Sequence, residues 1–546
     1  MATYSHPGIY IQEVPSARTI QGASTSTAVF VGVTQKGTGE QPMLITSWNA
    51  YQREFGNMIW NGMVSWAVFE FFNEGGTSCY VVRTKDKANA ASATTSSNGV
   101  ALTALTPGTW PNNILGYIIA NADGSDPTKE AQVFSLTLIA DQAALNQAVQ
   151  NAQAASAIAT NAALAAYCTQ NKLATVTANG NKTYYVLESY NGYTKDTLSQ
   201  LSAAINSGSM FVKADITGTT RPPNTTGAPT MLMNGAVPNW QFESAWKTLA
   251  SVQGVSLLAM PDTVNITEAS GNTLSITQQA ATINSALAFC DTAPMRSLFF
   301  ACDPPFGQTV QSVMSFKTGS GTGANASPAL NSTYGALYYP WVWIYNPIAG
   351  ANVPIPPSGP ALGRYAFTDG SAGVWKSPAG VNDGLLLTAV QVQTTVNDAD
   401  QDQLNPAGIN AIRNLIGYGN VLYGARTLAA IGSEWTYISV RRLFVYVEQS
   451  LKQSLQWVVF EPNDQQTWAA VTRDITAFLT TLWQAGGLFG STAAEAFFVT
   501  CNETNNPPET RALGQMFIDV GLAPVYPAEF VVIRMTQKVA GPDSGA

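Results

Sequence analysis

Between residues 240 and 305 the chain alternates helical segments with short apolar strand-like runs, and this alternation restricts the fold more than any other stretch. Trp240 to Ala250 reads as a helix, Val255 to Met260 as a strand ending at Pro261-Asp262, Ile276 to Cys290 as a helix, and Leu298 to Ala301 as a strand ending at Asp303-Pro304-Pro305. Strands this short and apolar need cover on both faces, which predicts a mixed α/β fold with a largely parallel sheet. A Rossmann-like phosphate site would need glycines at a helix start after such a strand, and these turns carry Pro-Asp and Pro-Pro instead.

Flanking segments extend the pattern. Ala28 to Val33 reads as a buried strand, Ser47 as the N-cap of a short helix holding Tyr51 and Phe55, and Phe69 to Phe72 as a helix leading through Gly75-Gly76 into a strand at Cys79 to Arg83. From about Lys87 to Ala236 the texture changes to Ala, Thr, Asn and Ser, and Ala143 to Tyr167 reads as one alanine-rich helix, so an inserted domain is expected. Gly319 to Ala324 and Asn352 to Gly363 read as Gly- or Pro-rich loops. Val440, Leu443, Phe444, Val447, Leu451 and Leu455 recur at helical steps, giving one apolar face over about five turns. The run from Leu455 to Phe460 reads as a strand leading to an acidic turn at Glu461 to Asp464. A second helix carries Trp468, Val471, Ile475, Phe478, Leu479 and Leu482, with strands expected at Ala496 to Thr500 and Gln515 to Asp519. Two β-like runs, Pro7 to Pro15 and Glu529 to Met535, stand isolated near opposite ends.

Charge narrows the function classes. Asp, Glu, Lys and Arg make up 11% of the chain, against about 25% in average soluble proteins. A surface so poor in charge suits a subunit packed against many neighbours. The net charge of −8, with no cluster of Lys or Arg, argues against direct nucleic-acid binding. Cys79, Cys168, Cys290, Cys302 and Cys501 are widely spaced and form no CxxC pair, so reduced thiols are expected, with no zinc site. Residues Met1 to Pro15 lack the pattern of a signal peptide, and the apolar run Leu337 to Tyr345 falls well short of the ~20 residues that span a bilayer. A soluble cytoplasmic product without membrane contact is expected.

His6 is the only histidine and lies outside any expected core, which disfavours histidine-based catalysis and multi-histidine metal sites. Gly486 to Thr492 has the glycines and hydroxyls of a phosphate loop without its lysine, and reads as a helix C-cap and turn. Asp398, Asp400 and Asp402 alternate as in a calcium loop, but Gln403 stands where glycine is required and Ile409 where the final carboxylate belongs. Trp435, Trp457, Trp468 and Trp483 lie on or beside apolar helix faces, so packing explains them better than sugar stacking. A pair of carboxylates for glycoside chemistry leaves no signature in sequence. No cofactor, no metal and no enzymatic activity are expected.

The stretch from Trp435-Thr436-Tyr437 through Arg441-Arg442-Leu443-Phe444 to Pro462-Asn463-Asp464 resembles the C-terminal core of contractile tail sheath proteins, the outer cylinders of phage tails, R-type pyocins and extracellular contractile injection systems. Pro7-Gly8-Ile9-Tyr10, Thr25 to Gly32, Leu44 to Ser47, Phe55-Gly56, Gly75 to Arg83 and Pro107 to Asn113 are similar to family phrases, in family order. So are Tyr338 to Trp341, Pro356 to Gly363, Gly424 to Leu428 and Pro527 to Phe530.

The resemblance implies an N-terminal arm (1–24), an α/β middle domain (25–105 and 236–345), an inserted outer domain (106–235), a C-terminal core (346–528) and a C-terminal arm (529–546). It implies stacking as rings or helical strands around an inner tube, with arms Ile9, Tyr10, Ile11, Gln12, Glu13, Val14 and Phe530, Val531, Val532, Ile533, Arg534, Met535 pairing with strands of neighbouring copies. Glu448, Lys452, Arg473 and Asp474, on the polar faces of the C-terminal helices, are the candidate contacts to the tube. Implied partners are the chain itself, the inner tube protein, baseplate and tail-terminator or cap proteins, and sheath isoforms. Assembly would take place in the bacterial cytoplasm, before release as part of a phage or tail-like particle. The rival readings are another self-assembling shell, capsid or surface layer, and an α/β hydrolase.

Overall fold

The computed structural model describes residues 19–88, 91–97, 99–112, 115–120, 133–219, 221–222, 229–292, 296–319 and 327–534. The first elements are β1 (Ala28–Gly32), β2 (Met43–Ile45), α1 (Trp48–Phe55), α2 (Met63–Asn73) and β3 (Cys79–Arg83). An insertion follows: β4 (Thr94–Ser97), β5 (Val100–Ala104), β6 (Leu115–Ala120), β7 (Phe134–Asp141), α3 (Gln142–Ala154), α4 (Ala162–Gln170), β8 (Thr175–Ala178), β9 (Lys182–Tyr193), α5 (Leu198–Gly208), β10 (Val212–Ile216) and β11 (Thr230–Met231). The chain returns through α6 (Phe242–Lys247), β12 (Leu257–Ala259), α7 (Ile276–Asp291), β13 (Phe299–Cys302), α8 (Val310–Thr318) and β14 (Gly335–Tyr339). Then come β15 (Val342–Asn346), β16 (Ala351–Ile355), α9 (Ser358–Ser371), α10 (Gly380–Asp383), β17 (Ala389–Val392), α11 (Asp398–Leu404), β18 (Ile409–Leu415) and β19 (Gly419–Leu422). The last elements are α12 (Ile438–Ser454), α13 (Gln465–Gln484), α14 (Ala493–Ala496), β20 (Phe497–Thr500), α15 (Pro508–Ala512) and β21 (Asp519–Leu522).

Eight strands form the central sheet in the order β19-β18-β14-β13-β12-β1-β3-β2. Every pair from β18 to β3 is parallel, as the helix–strand alternation predicts, and only the outermost strands run antiparallel. Alternate side chains feed two cores. Phe30, Leu257 and Phe299 pack with Trp66, Phe71 and Tyr365 of α2 and α9, while Val29, Leu258 and Phe300 pack with Trp246 and Ile283 of α6 and α7. Gly359 and Gly363 let α9 lie directly on α2: a Cβ at Gly359 would stand 2.5 Å from Ala67 Cα, and one at Gly363 2.5 Å from Glu74 Cβ. Asn352 to Gly363 is therefore not the expected loop. Its first residues form β16, paired with β15, and its small residues open a buried helix.

The insertion is built from a three-stranded sheet, β10-β5-β4, and a five-stranded sheet, β11-β6-β7-β9-β8. Its alanine-rich segment is two helices, not one, because the chain between α3 and α4 is drawn onto a turn of the body. Thr160 Oγ1 donates to Gly271 O (2.7 Å) and Leu274 N to Ile158 O (2.9 Å), overriding alanine's helix propensity. Farther on, Asn171 and Asn352 exchange two hydrogen bonds of 2.8 Å, and Trp60 packs on Tyr167 at 5.0 Å between ring centroids. These contacts fasten the insertion to the body.

Sheet pairing also redraws the divisions. β18 and β19 extend the central sheet through β14, so the boundary expected at 345/346 runs through one sheet. β4 and β5 pair within the insertion, and Thr94 bridges Met233, so the insertion begins before residue 106. The run after α12 is a single 3-10 turn, Gln456–Val458, followed by Phe460 at φ 74°, and not a strand; no strand among the described residues pairs with it. The second C-terminal strand, expected at 515–519, is β21 at 519–522. Residues 529–534 form no strand within the subunit. His6, Ile9, Tyr10, Ile11, Gln12, Glu13, Val14, Met535 and most of the expected 319–324 loop lie outside the described residues. Among the described residues no helix is long and apolar enough to cross a membrane.

Candidate functional site

Ligands of parallel α/β sheets collect beyond the carboxyl ends of the strands. Here β12 and β13 end in Asp262 and Asp303, both buried. The Asp262 carboxylate accepts the N–H groups of Val33 (2.7 Å), Met63 (2.6 Å) and Val64 (3.3 Å). Met63 and Val64 open α2, whose N-cap Gly62 offers no side chain, so Asp262 caps that helix from across the sheet. Asp303 does the same for α9, accepting Ser358 N at 2.8 Å. Two helix N-termini that could face an anion are thus occupied by the chain's own carboxylates. Burial pushes both aspartates up to about 7. The five cysteines are buried and free, and burial pushes Cys168 up to about 12, which leaves it a poor nucleophile. Among the described residues no group of three or more His, Cys, Asp or Glu could hold a metal ion. An open cavity of about 700 Å³ beside α12 is lined by Arg442 and Lys452 among polar, aliphatic and aromatic side chains, with no carboxylate, histidine or thiol among its lining residues.

The two ends of the described chain instead meet at the C-terminal unit. Leu443 and Val447 of α12 pack with Val471, Ile475, Leu479 and Leu482 of α13. A second stripe of α12, at intervals of four residues, holds the segment leading into β1. Ala23 N donates to Ser450 Oγ (2.9 Å), Gln21 N to Ser454 Oγ (3.1 Å), and Arg442 Nη2 to Thr25 O (3.0 Å). Arg442 also makes a bidentate pair with Asp369 of α9 (2.6 and 3.0 Å), both side chains almost wholly buried. Burial raises the Asp369 carboxyl, and the Arg442 guanidinium opposes that rise.

The other end is held by Glu529. Its carboxylate accepts Arg426 Nη2 (2.6 Å) and Nε (3.0 Å), Asn405 Nδ2 (2.7 Å) and Tyr437 Oη (3.1 Å). Burial works against ionisation here, but the Arg426 and Asn405 donors outweigh it and hold the group below the usual carboxylate range. Immediately beyond, Phe530 is 73% exposed, and Val531, Val532 and Ile533 are 78, 78 and 79% exposed. Arg534 is exposed as well. Close in sequence lies the two-stranded sheet β20–β21, with no third strand among the described residues.

Of the charged residues singled out on the helices, Glu448, Lys452 and Arg473 are exposed. Asp474 is buried, and its Oδ1 accepts Arg473 Nε and Nη2, both at 3.0 Å. Its place three residues after Val471 and four before Phe478 puts it on the inward side of α13, so it is not a surface contact of the subunit. Arg442, Ser450, Ser454, Arg426, Asn405 and Glu529 were not singled out from sequence. The signal that could have found Arg442 is a charged pair, Arg441-Arg442, inside an apolar helical stripe.

Residues 432–538 match the model of the phage tail sheath C-terminal domain. The tail sheath protein of Vibrio phage KVP40 is 27% identical over 232 residues, 42% of this chain and 34% of that protein. The tail sheath protein of Enterobacteria phage T4 is 25% identical over 239 residues, 44% of this chain and 35% of that protein. The chain thus spans about a third of the length of the curated relatives it matches. Among solved structures, the sheath complex of an extracellular contractile injection system, PVC, in its contracted state covers 99% of this chain and is covered to 99%, with a TM-score of 0.54 at 22% identity. The contracted helical sheath of the anti-feeding prophage covers 98% of this chain and is itself covered completely, with a TM-score of 0.53 at 23% identity. Residues 432–538 are thus similar to the phage tail sheath C-terminal domain, and the chain has the fold seen in the contracted sheaths of PVC and the anti-feeding prophage.

Proposed function

We propose that this chain is the structural subunit of a contractile sheath. Copies polymerise around an inner tube, and the cylinder shortens from a metastable extended state as subunits rotate and bury more surface, driving the tube outward. The observation that carries the reading is the apolar run Phe530 to Ile533, 73 to 79% exposed, in a chain whose two-stranded sheet β20–β21 has no third strand among the described residues. The β20–β21 sheet packs on α13 but keeps open edges, and an extended apolar run would supply backbone partners for such an edge. Each backbone hydrogen bond of such a joint contributes roughly 0.5–1.5 kcal/mol net. Further exposed apolar side chains at Leu387, Ile416, Phe489 and Leu513 fit a surface meant for neighbours.

Glu448, Lys452 and Arg473 remain the proposed contacts to the inner tube, where sparse polar pairs would release on contraction. Baseplate and terminator proteins would meet the ends of the cylinder. The subunit needs no chemistry of its own, which fits sheet ends closed by Asp262 and Asp303.

The test is a truncation lacking residues 1–20. Its circular dichroism and melting temperature should match the full chain, while electron micrographs show only short or no cylinders. Long cylinders of normal yield from the truncated chain would overturn the arm-pairing mechanism.

A further inference from the structure

We infer that Glu529, clamped by Arg426, Asn405 and Tyr437, is the positioning residue that fixes where the C-terminal run leaves the subunit and thereby sets its pairing register with a neighbouring copy. The inference rests on the arm-pairing reading above.

The clamp joins three separate parts of the subunit. Asn405 follows α11, Arg426 follows β19, and Tyr437 caps α12. Arg426 is itself held in place: its N–H donates to Asn410 Oδ1 (2.7 Å) and its Nη1 to Asn405 O (3.1 Å). Tyr437 also packs against Tyr526, three residues before the clamped glutamate, at 6.1 Å between centroids. A bidentate arginine–carboxylate pair fixes direction as well as distance, because both groups are planar. The pair is 17% and 18% exposed, shielded enough to act as more than a solvated surface bridge.

Its position along the chain matters most. Among the described residues Glu529 is the last with a side-chain hydrogen bond to the body, and the next side chain is 73% exposed. Side chains of a strand alternate faces with a period of two, so a slip of one residue at the root would turn Phe530 and Val532 to the wrong side of any sheet they join. A fixed root removes that freedom before a neighbour is met, and lowers the ordering cost of pairing.

The experiment uses the full chain with Glu529→Arg, Arg426→Glu, or both, beside a chain ending at residue 529. All are assayed for melting temperature and for cylinder yield by electron microscopy. Each single reversal should keep the melting temperature within a few degrees and cut cylinder yield by about tenfold or more. The exchanged pair should recover at least part of the yield, which a general loss of stability would not allow. The chain ending at 529 should fold and build no cylinders. Normal cylinders from both single reversals, with none from the shortened chain, would overturn the clamp and leave arm pairing standing. Failure of the exchanged pair to recover any yield would also overturn the clamp. Normal cylinders from the shortened chain would overturn arm pairing by the C-terminal run, and the clamp with it.

Discussion

Glu70, Asp262 and Asp303 are withdrawn from water, and burial pushes each carboxyl up to about 7. In the unfolded chain they ionise at about 4. Between roughly pH 4 and 7 the folded subunit therefore holds protons that the unfolded chain has released, and its stability falls as pH rises through that window. A melting curve of the unassembled subunit at about pH 5.5 should lie several degrees above one at about pH 8, and Glu70→Gln should shrink the difference. A melting temperature that climbs from the lower to the higher pH would contradict this. Glu529 works in the opposite sense: its depressed value makes the clamp's contribution present at neutral pH and lost only as pH falls below the ordinary glutamate range. At this scale the sequence was partly legible. Pro261-Asp262 stood out as a turn that is no phosphate cradle, but its partners Met63 and Val64 lie about 200 positions earlier, a distance that no local pattern spans. Asp474 was misplaced on the polar face, although its spacing from Val471 and Phe478 already put it on the inward side.

The helices α12 and α13 were legible because long amphipathic stretches repeat their signal over several turns. Shorter runs misled for identifiable reasons. Leu455 to Phe460 has strand-like composition but pairs with no strand among the described residues, and the Gly and Pro of Asn352 to Gly363 serve close helix packing where they resemble loop punctuation. Nor did periodicity reveal that α12 has two working faces, one for α13 and one for the segment entering β1. Arg442 sits at their junction, bound to Asp369 of α9 and to Thr25 O. Replacing it with methionine strands a buried carboxylate and frees the entering segment. Arg442→Met should destabilise the subunit by about 3–5 kcal/mol in chemical denaturation. A loss below about 1 kcal/mol would show that α12 is held to the body by apolar packing alone.

For the molecule as a whole, low charge and isolated β-like runs pointed to assembly, and Phe530 to Ile533 are 73 to 79% exposed. What sequence could not supply was the convergence of both described ends on one C-terminal unit, the first along α12 and the last at Arg426. In the proposed sheath, that convergence would give each copy two tethered exits. Tethers built from backbone pairing can persist while the bodies they join rotate, which a sheath must do to shorten without falling apart. Such tethers would also distinguish the proposed sheath from a rigid closed shell. Helical reconstruction by electron cryomicroscopy of the assembled full chain tests this directly. It should show open-ended hollow cylinders in which Phe530 to Ile533 of one copy lies as an added strand on the sheet of another. Closed shells, flat lattices, or cylinders in which that run folds back on its own subunit would contradict it.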